Sequence, residues 1–215
     1  MGTIKRGILG GFSGKVGNVV GSSWKGIAFM RALPLHVKNP RTLAQRTQRS
    51  RFAIALAAIQ PLQPIIKTGW HLRANEKSAF NAAMSYTVNN AISGAYPNFS
   101  VDYSKILISA GSLTGAVNCA TDGYEKLKSN VLWADNSAQG SAQPDDIAII
   151  AILNPAKSEI ATPAQNILRA EISVTIQLPG HWDGDNVHVY LGFISADTKD
   201  VANSIYLGQH LVRNK

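Results

Sequence analysis

From residue 168 to residue 178, apolar Leu168, Ala170, Ile172, Val174, Ile176 and Leu178 alternate with polar Arg169, Glu171, Ser173, Thr175 and Gln177. A period of two sustained over this length predicts one half-buried β-strand with a solvated face. Apolar-rich runs at 99–109, 126–133, 146–153, 187–194 and 204–212 predict further strands. Turn-forming residues collect between them, at 111–115, 136–144, 154–163 and 179–186. Six or seven strands with no helical period among them predict an antiparallel immunoglobulin-like β-sandwich over 98–215.

Residues 39–97 carry a different period. Asn39 and Pro40 are an N-cap and a first-turn proline, and predict that a helix begins there. Its first half, 41–51, is polar on nearly every side, with Arg41, Arg46, Arg49 and Arg51 at different angles. Its second half, 52–59, is apolar on nearly every side through Phe52, Ile54, Leu56 and Ile59. The pattern predicts a helix whose basic half protrudes and whose second half is buried, ended or kinked by Pro61 and Pro64. Leu62, Ile65, Ile66 and Trp70 predict a short second helix. Asn75 is the expected cap of a third, with Phe80, Met84, Val88 and Ala91 as its apolar stripe and Gly94 to Pro97 as its stop.

Residues 1–38 are studded with glycine. Gly7, Gly10, Gly14, Gly17 and Gly21 fall three and four apart, as on one face of a closely packed helix. Each glycine weakens a helix in water by about 1 kcal/mol relative to alanine. The alternative is a β-ribbon with 15–20 as one arm, Gly21-Ser22-Ser23 as the turn region and 24–33 as the return. The ribbon is the favoured reading. The expected fold class is therefore α+β: a glycine-rich basic arm (1–38), a helical segment (39–97) and a β-sandwich domain (98–215).

Charge changes this picture most. The first 75 residues hold twelve Lys or Arg and not one acidic residue, whereas 76–215 hold nine basic and thirteen acidic residues. Such a split implies that the front of the chain faces something negative, such as nucleic acid, a membrane or an acidic surface of another subunit. No stretch pairs a basic face with a large apolar one, which disfavours a membrane surface. No window approaches 18 uncharged apolar residues, so no helical span is expected. Lys5-Arg6 precede an apolar run that breaks at Ser13-Gly14-Lys15, so no signal peptide is expected, and the chain reads as made in the cytoplasm. Its final place would be an assembled particle or outside the cell, reached by lysis or a specialised route. Lone Cys119 excludes an internal disulfide framework and reads as a small buried residue.

Motifs for chemistry fail on their spacing. Gly14-Lys15 is followed by Val16 and preceded at the required position by Leu9, so it is no phosphate loop. No strand precedes Gly10, and no carboxylate follows within sixty residues, which excludes a dinucleotide fingerprint. His36, His71, His181, His188 and His210 lack partners at metal-ligand spacing. Residues 181–186 resemble a calcium loop only faintly and read as a solvated turn, because Val187 stands where a ligand is needed. Asp145-Asp146 and Asp183/Asp185 sit in turn-like sequence, where Asp is expected anyway. No catalytic, cofactor-binding or metal-binding residue is expected. The candidate interface or anion-binding residues are Lys15, Trp24, Lys25, Arg31, Arg41, Arg46, Arg49 and Arg51, with Lys38 and Phe29 among them in sequence.

Three blocks carry a resemblance: Gly11-Phe12-Ser13-Gly14-Lys15-Val16-Gly17; Ser23-Trp24-Lys25-Gly26 with Arg31; and Asn39-Pro40-Arg41-Thr42 with Gln45, Arg49 and Phe52. Together with 101–105, 111–114 and 204–208 they resemble a family of Bacteroidota proteins known only as a domain of unknown function. The front block, about 11–60, is also similar to a segment of phage virion proteins. The resemblance implies a structural, assembling protein and carries over no catalytic residue.

The expected function is a non-enzymatic structural subunit that self-assembles into a virion-like or filamentous particle, with its basic front docking on the acidic body of the next copy. The expected partners are copies of itself, other particle proteins and DNA, without membrane insertion. The alternative is a nucleic-acid-binding protein that contacts phosphates through the Arg/Lys cluster of 15–51.

Overall fold

Glycine decides where the first forty residues turn. A computed structural model describes residues 2–4, 10–24, 26–36, 39, 41–74, 77–122 and 127–214. Strands β1 (Thr3–Ile4), β2 (Phe12–Val16), β3 (Val19–Trp24) and β4 (Ile27–Ala32) form an antiparallel sheet in the order β1-β2-β3-β4. The β reading of the glycine-rich segment holds, but it is a meander and its turns lie elsewhere than expected. Val16 pairs with Val19 and Trp24 with Ile27, so the chain reverses at 17–18 and again between Trp24 and Ile27, and runs straight through 21–23. Gly17, at φ +56°, fills the first position of the two-residue loop, where a side chain would be strained. Gly21 serves another purpose: a Cβ there would meet the Phe12 carbonyl oxygen at 2.2 Å, so only glycine lets these strands carry the Phe12 ring. Lys25, Lys38 and Pro40 lie outside the described residues.

The chain divides into two compact units, Met1–Thr42 and Leu43–Lys215. In the second, α1 (Leu43–Ile59), α2 (Gln63–Gly69) and α3 (Ala79–Asn90) precede the strands. Helix α1 begins three residues after the proline expected to open it. Its buried positions, Ala55, Ala58 and Ile59, all fall in the second half, although Phe52 remains 49% exposed. Ser78, not Asn75 (outside the described residues), caps α3, its hydroxyl accepting the Asn81 N–H at 3.2 Å. Met84, Val88 and Ala91 are buried, as their helical spacing predicts. The expected stop at Gly94 to Pro97 is instead the turn of a hairpin, β5 (Ile92–Ala95) with β6 (Asn98–Val101).

Seven strands follow: β7 (Val117–Asp122), β8 (Lys128–Ala134), β9 (Ile147–Asn154), β10 (Glu159–Ala161), β11 (Ser173–Gln177), β12 (Asn186–Ile194) and β13 (Ile205–Leu211). They form two antiparallel sheets, β10-β9-β12-β13 and β11-β8-β7. Strands β9 and β12 are apolar at almost every position because both faces of their sheet are covered. Ile149, Ala151, Leu153, Tyr190 and Ile194 join the helices in one apolar cluster. Ile150, Ile152, Val187, Val189, Leu191 and Phe193 point the other way, to Val131, Trp133 and Ile176 of the three-stranded sheet. The body is thus α+β, with helices on one face of a four-stranded sheet and a second sheet on the other. No helix among the described residues is long and apolar enough to cross a membrane.

Two predicted strands are corrected. The alternation at 168–178 yields a strand only over Ser173–Gln177, because residues Arg169–Glu171 form a 3₁₀ turn and Ile172 takes a left-handed conformation, φ 55°. Leu168 and Ile172, expected inside, are 40% and 49% exposed, while Arg169, expected in water, is fully buried. The run at 99–109 gives β6, then a 3₁₀ turn at Tyr103–Lys105. Its last residues pair with no strand and are tied down by Ser204, whose hydroxyl accepts the Ile108 N–H at 2.9 Å. Lys126, the expected start of one strand, lies outside the described residues. The strands at 117–122 and 159–161 have no counterpart in the sequence reading.

A buried histidine makes the body acid-sensitive. His188 stacks on Tyr103 (centroids 4.2 Å apart) and shares a 2.8 Å hydrogen bond between Nδ1 and the Tyr206 hydroxyl. Burial first, and His210 second, hold its imidazole below the ordinary value of 6.5. The unfolded chain therefore takes up a proton that the folded body refuses. Stability is constant above the unfolded value and falls as pH drops through the folded one. Urea denaturation between about pH 7.5 and about pH 5 should show this loss, and His188→Gln should flatten it; an unchanged slope in the variant would refute the assignment.

Candidate interaction surface

Cross-strand register sorts the meander's side chains onto two faces. Trp24 opposes Ile27, Ser22 opposes Phe29, and Val20 lies between Arg31 on one side and Lys15 on the other. All these residues share a face. Lys15 and Arg31 are two strand spacings apart, about 10 Å, at the ends of one cross-strand row. On the same face Phe29 stands one row from them and Trp24 two, and these rings are diagonal neighbours about 7 Å apart. Lys15 and Arg31 are exposed, as are Trp24, Ile27 and Phe29. The opposite face carries Phe12, Val16, Val19 and Met30, with the Phe12 ring lying against Gly21.

The unit encloses no apolar interior. Among the described residues of 1–42, Gly21 alone is buried. Every residue of β4 is exposed, and among the described residues β4 pairs with β3 alone. The Leu33 N–H donates to the Asn18 carbonyl at 2.7 Å, which marks that pair as hydrogen-bonded. By alternation, Ile27, Phe29 and Arg31 bond to β3, while the N–H and C=O groups of Ala28, Met30 and Ala32 point away from it, to a side where no described strand pairs.

The remaining candidate cations stand apart from this face in the chain. Arg41 is exposed just before α1, and Arg46 and Arg49 are exposed on its first turns. Arg51 is half-buried and donates from Nη2 to the Val88 carbonyl at 2.9 Å, so this guanidinium holds the C-terminal turn of α3 against α1. The structure thus brings Lys15, Trp24 and Arg31 together and leaves Arg46, Arg49 and Arg51 on a helix of the other unit. Ile27, which completes the apolar part of the face, is absent from the residues singled out by sequence.

Enzyme-like features are sparse in the body. An open groove of about 570 Å³ is lined by Ile65, Ile147, Ile149, Ile160 and Pro163 with uncharged neighbours, and no titratable side chain reaches it. Among the described residues, no three His, Cys, Asp or Glu side chains are grouped so as to hold a metal ion. The carboxylates of the 181–186 turn are spoken for: Asp183 accepts the Asn214 N–H and Asp185 the Asn154 side-chain amide, both at 2.9 Å. The Cys119 thiol is half-buried, and burial pushes its pKa up, away from a reactive thiolate.

Sequence reading missed a polar cluster of the interior built around Arg169. Arg169, wholly buried, donates from Nε to Asp146 Oδ2 (3.0 Å), from Nη1 to Asn136 Oδ1 (2.6 Å) and from Nη2 to the Thr114 carbonyl (2.9 Å). Its guanidinium carbon sits 3.8 Å from the Phe193 ring centre. Burial draws the group below its ordinary pKa, and Asp146 opposes that shift. These bonds pin the loops at 114, 136 and 146 to the end of the paired sheets. Every donor direction named is taken by protein, while the second carboxylate oxygen of Asp146, Oδ1, is buried without a hydrogen-bond partner among the described residues.

The fold and the surface together define an α+β protein with a helix-backed, two-sheet body and a cationic β-meander whose aromatic face is open. Residues 11–208 match the family of unknown function DUF6266, and the chain belongs to that family. No curated protein shows significant similarity to it.

Removing the buried cation strands a carboxylate. Arg169→Met should destabilise the body by about 3–5 kcal/mol in urea denaturation, and adding Asp146→Asn should recover a large part of the loss. A single-variant loss below about 1 kcal/mol would contradict the role assigned to the cluster.

Proposed function

We propose that this chain is a non-enzymatic structural subunit that self-assembles into a virion-like or filamentous particle through its N-terminal unit. The observation that carries this reading is β4, a six-residue, wholly exposed edge strand in a sheet without a buried side chain. Small sheets of this kind gain little stability alone, and a long, exposed, apolar edge is a template for pairing with another chain. Strand addition at β4 would satisfy the open backbone groups of Ala28, Met30 and Ala32.

Charge favours another copy's body as the acceptor. Residues 1–42 hold seven basic and no acidic residues, and residues 98–215 hold eight basic and twelve acidic ones. Front-to-body docking is heterologous, so it builds rings or open filaments. The resemblance to phage virion proteins read from the sequence of residues 11–60 points the same way, with an assembled particle as the proposed final location. An immunoglobulin-like reading of the body has its own support. In chain order the seven strands stand as 1-2-5 and 4-3-6-7. The immunoglobulin constant arrangement is 1-2-5-4 over 3-6-7, so one short strand, β10, has changed sheets.

Sedimentation velocity at physiological salt should show oligomers of the full chain that weaken as salt screens the docking. Ala28→Pro and Met30→Pro remove N–H groups that face the open edge and leave the β3–β4 ladder whole, so each should shift the chain toward monomer. A chain that stays strictly monomeric at high concentration would overturn the proposal.

A further inference from the structure

We infer that the open face of the meander binds single-stranded nucleic acid. The face combines the two elements such a ligand needs, cations for its backbone and flat apolar rings for its bases. Lys15 and Arg31 end one cross-strand row, and on the same face Phe29 stands one row along and Trp24 two, as diagonal neighbours. The whole unit contains no carboxylate to compete for those cations or to repel phosphate. A duplex fits less well, because its bases are stacked inside and offer no free faces to the rings of Trp24 and Phe29.

The edge of β4 and the face of the meander are different surfaces. Backbone groups at Ala28, Met30 and Ala32 serve the edge, and the side chains of Lys15, Trp24, Phe29 and Arg31 serve the face. Nucleic-acid binding needs one copy only, so it stands or falls separately from assembly. If both hold, a particle built from this chain would present its packaged strand with a repeated stacking surface.

Tryptophan makes the test specific. Trp24 is 57% exposed, whereas Trp70, Trp133 and Trp182 are 4%, 4% and 0% exposed, so a ligand that stacks on tryptophan reports on Trp24. Titrating the dilute full chain with an oligothymidylate at low salt should quench this emission, while polyphosphate, which has charge but no bases, should not. With a labelled oligonucleotide read by anisotropy, Trp24→Phe should keep binding and lose the quench. Trp24→Ser should weaken binding by about 5- to 150-fold. Replacing Lys15 and Arg31 together by alanine should lower the log–log salt slope by about 1.4, the value for two phosphate contacts on a single strand. The unchanged emission of the three buried tryptophans certifies that each variant keeps its body folded. No binding at low salt, equal quenching by polyphosphate, or equal affinity for a duplex of the same length would each overturn the inference.

Discussion

Everything in the larger unit leans on the pairing of β9 with β12. Seven residue pairs, from His188 with Leu153 to Ile194 with Ile147, hold the two strands in register. Their side chains feed two apolar clusters at once, one shared with the helices and one with the three-stranded sheet. Helices α1 to α3 bury apolar side chains against one face of this pair, together with one another and the β5–β6 hairpin, and β8 and β11 bury theirs against the other face. A strand pair buried on both sides cannot slip without moving both layers. The polar groups at its margins add direction: the Asn154 side chain bonds Asp185, and Arg169 sits over the Phe193 ring.

That constraint explains which parts of the sequence could be read. The runs at 146–153 and 187–194 are nearly continuous in Val, Ile and Leu, and they became β9 and β12 almost residue for residue. The helical stripe of Met84, Val88 and Ala91 was legible for the same reason, that burial writes a period into the chain. The alternation at 168–178 misled because a period of two also arises where a 3₁₀ turn and a short strand adjoin. Arg169 finds its carboxylate 23 residues back, at Asp146, and a local pattern holds no trace of so distant a partner. Strands β7 and β10 escaped notice because one is polar and broken by left-handed Asn118 while the other is three residues long.

The candidate surface was half legible. Lys15, Trp24 and Arg31 stood out by type and charge, but their sharing of a face depends on where the hairpins turn. With a turn at 21–23, Trp24 would lie near Val20; with β3 running unbroken through those positions, it opposes Ile27. Glycines occupy both a turn and a strand interior here, so composition alone could not choose. Family membership covers most of the chain without assigning it an activity. The functional argument therefore rests on physics: a sheet of one sign of charge, with no interior of its own, exposes both an edge and an aromatic face. Such a sheet acquires an interior when a partner covers it. An edge suits a strand of another copy, and a face of rings and cations suits a polynucleotide.

Amide hydrogen exchange of the full chain, followed as protein concentration rises, addresses the central claim most directly. In dilute solution the outward N–H groups of Ala28, Met30 and Ala32 should exchange fast, as unpaired edge amides do, and slow strongly as copies associate. Exchange at these three positions that does not depend on concentration would contradict the account.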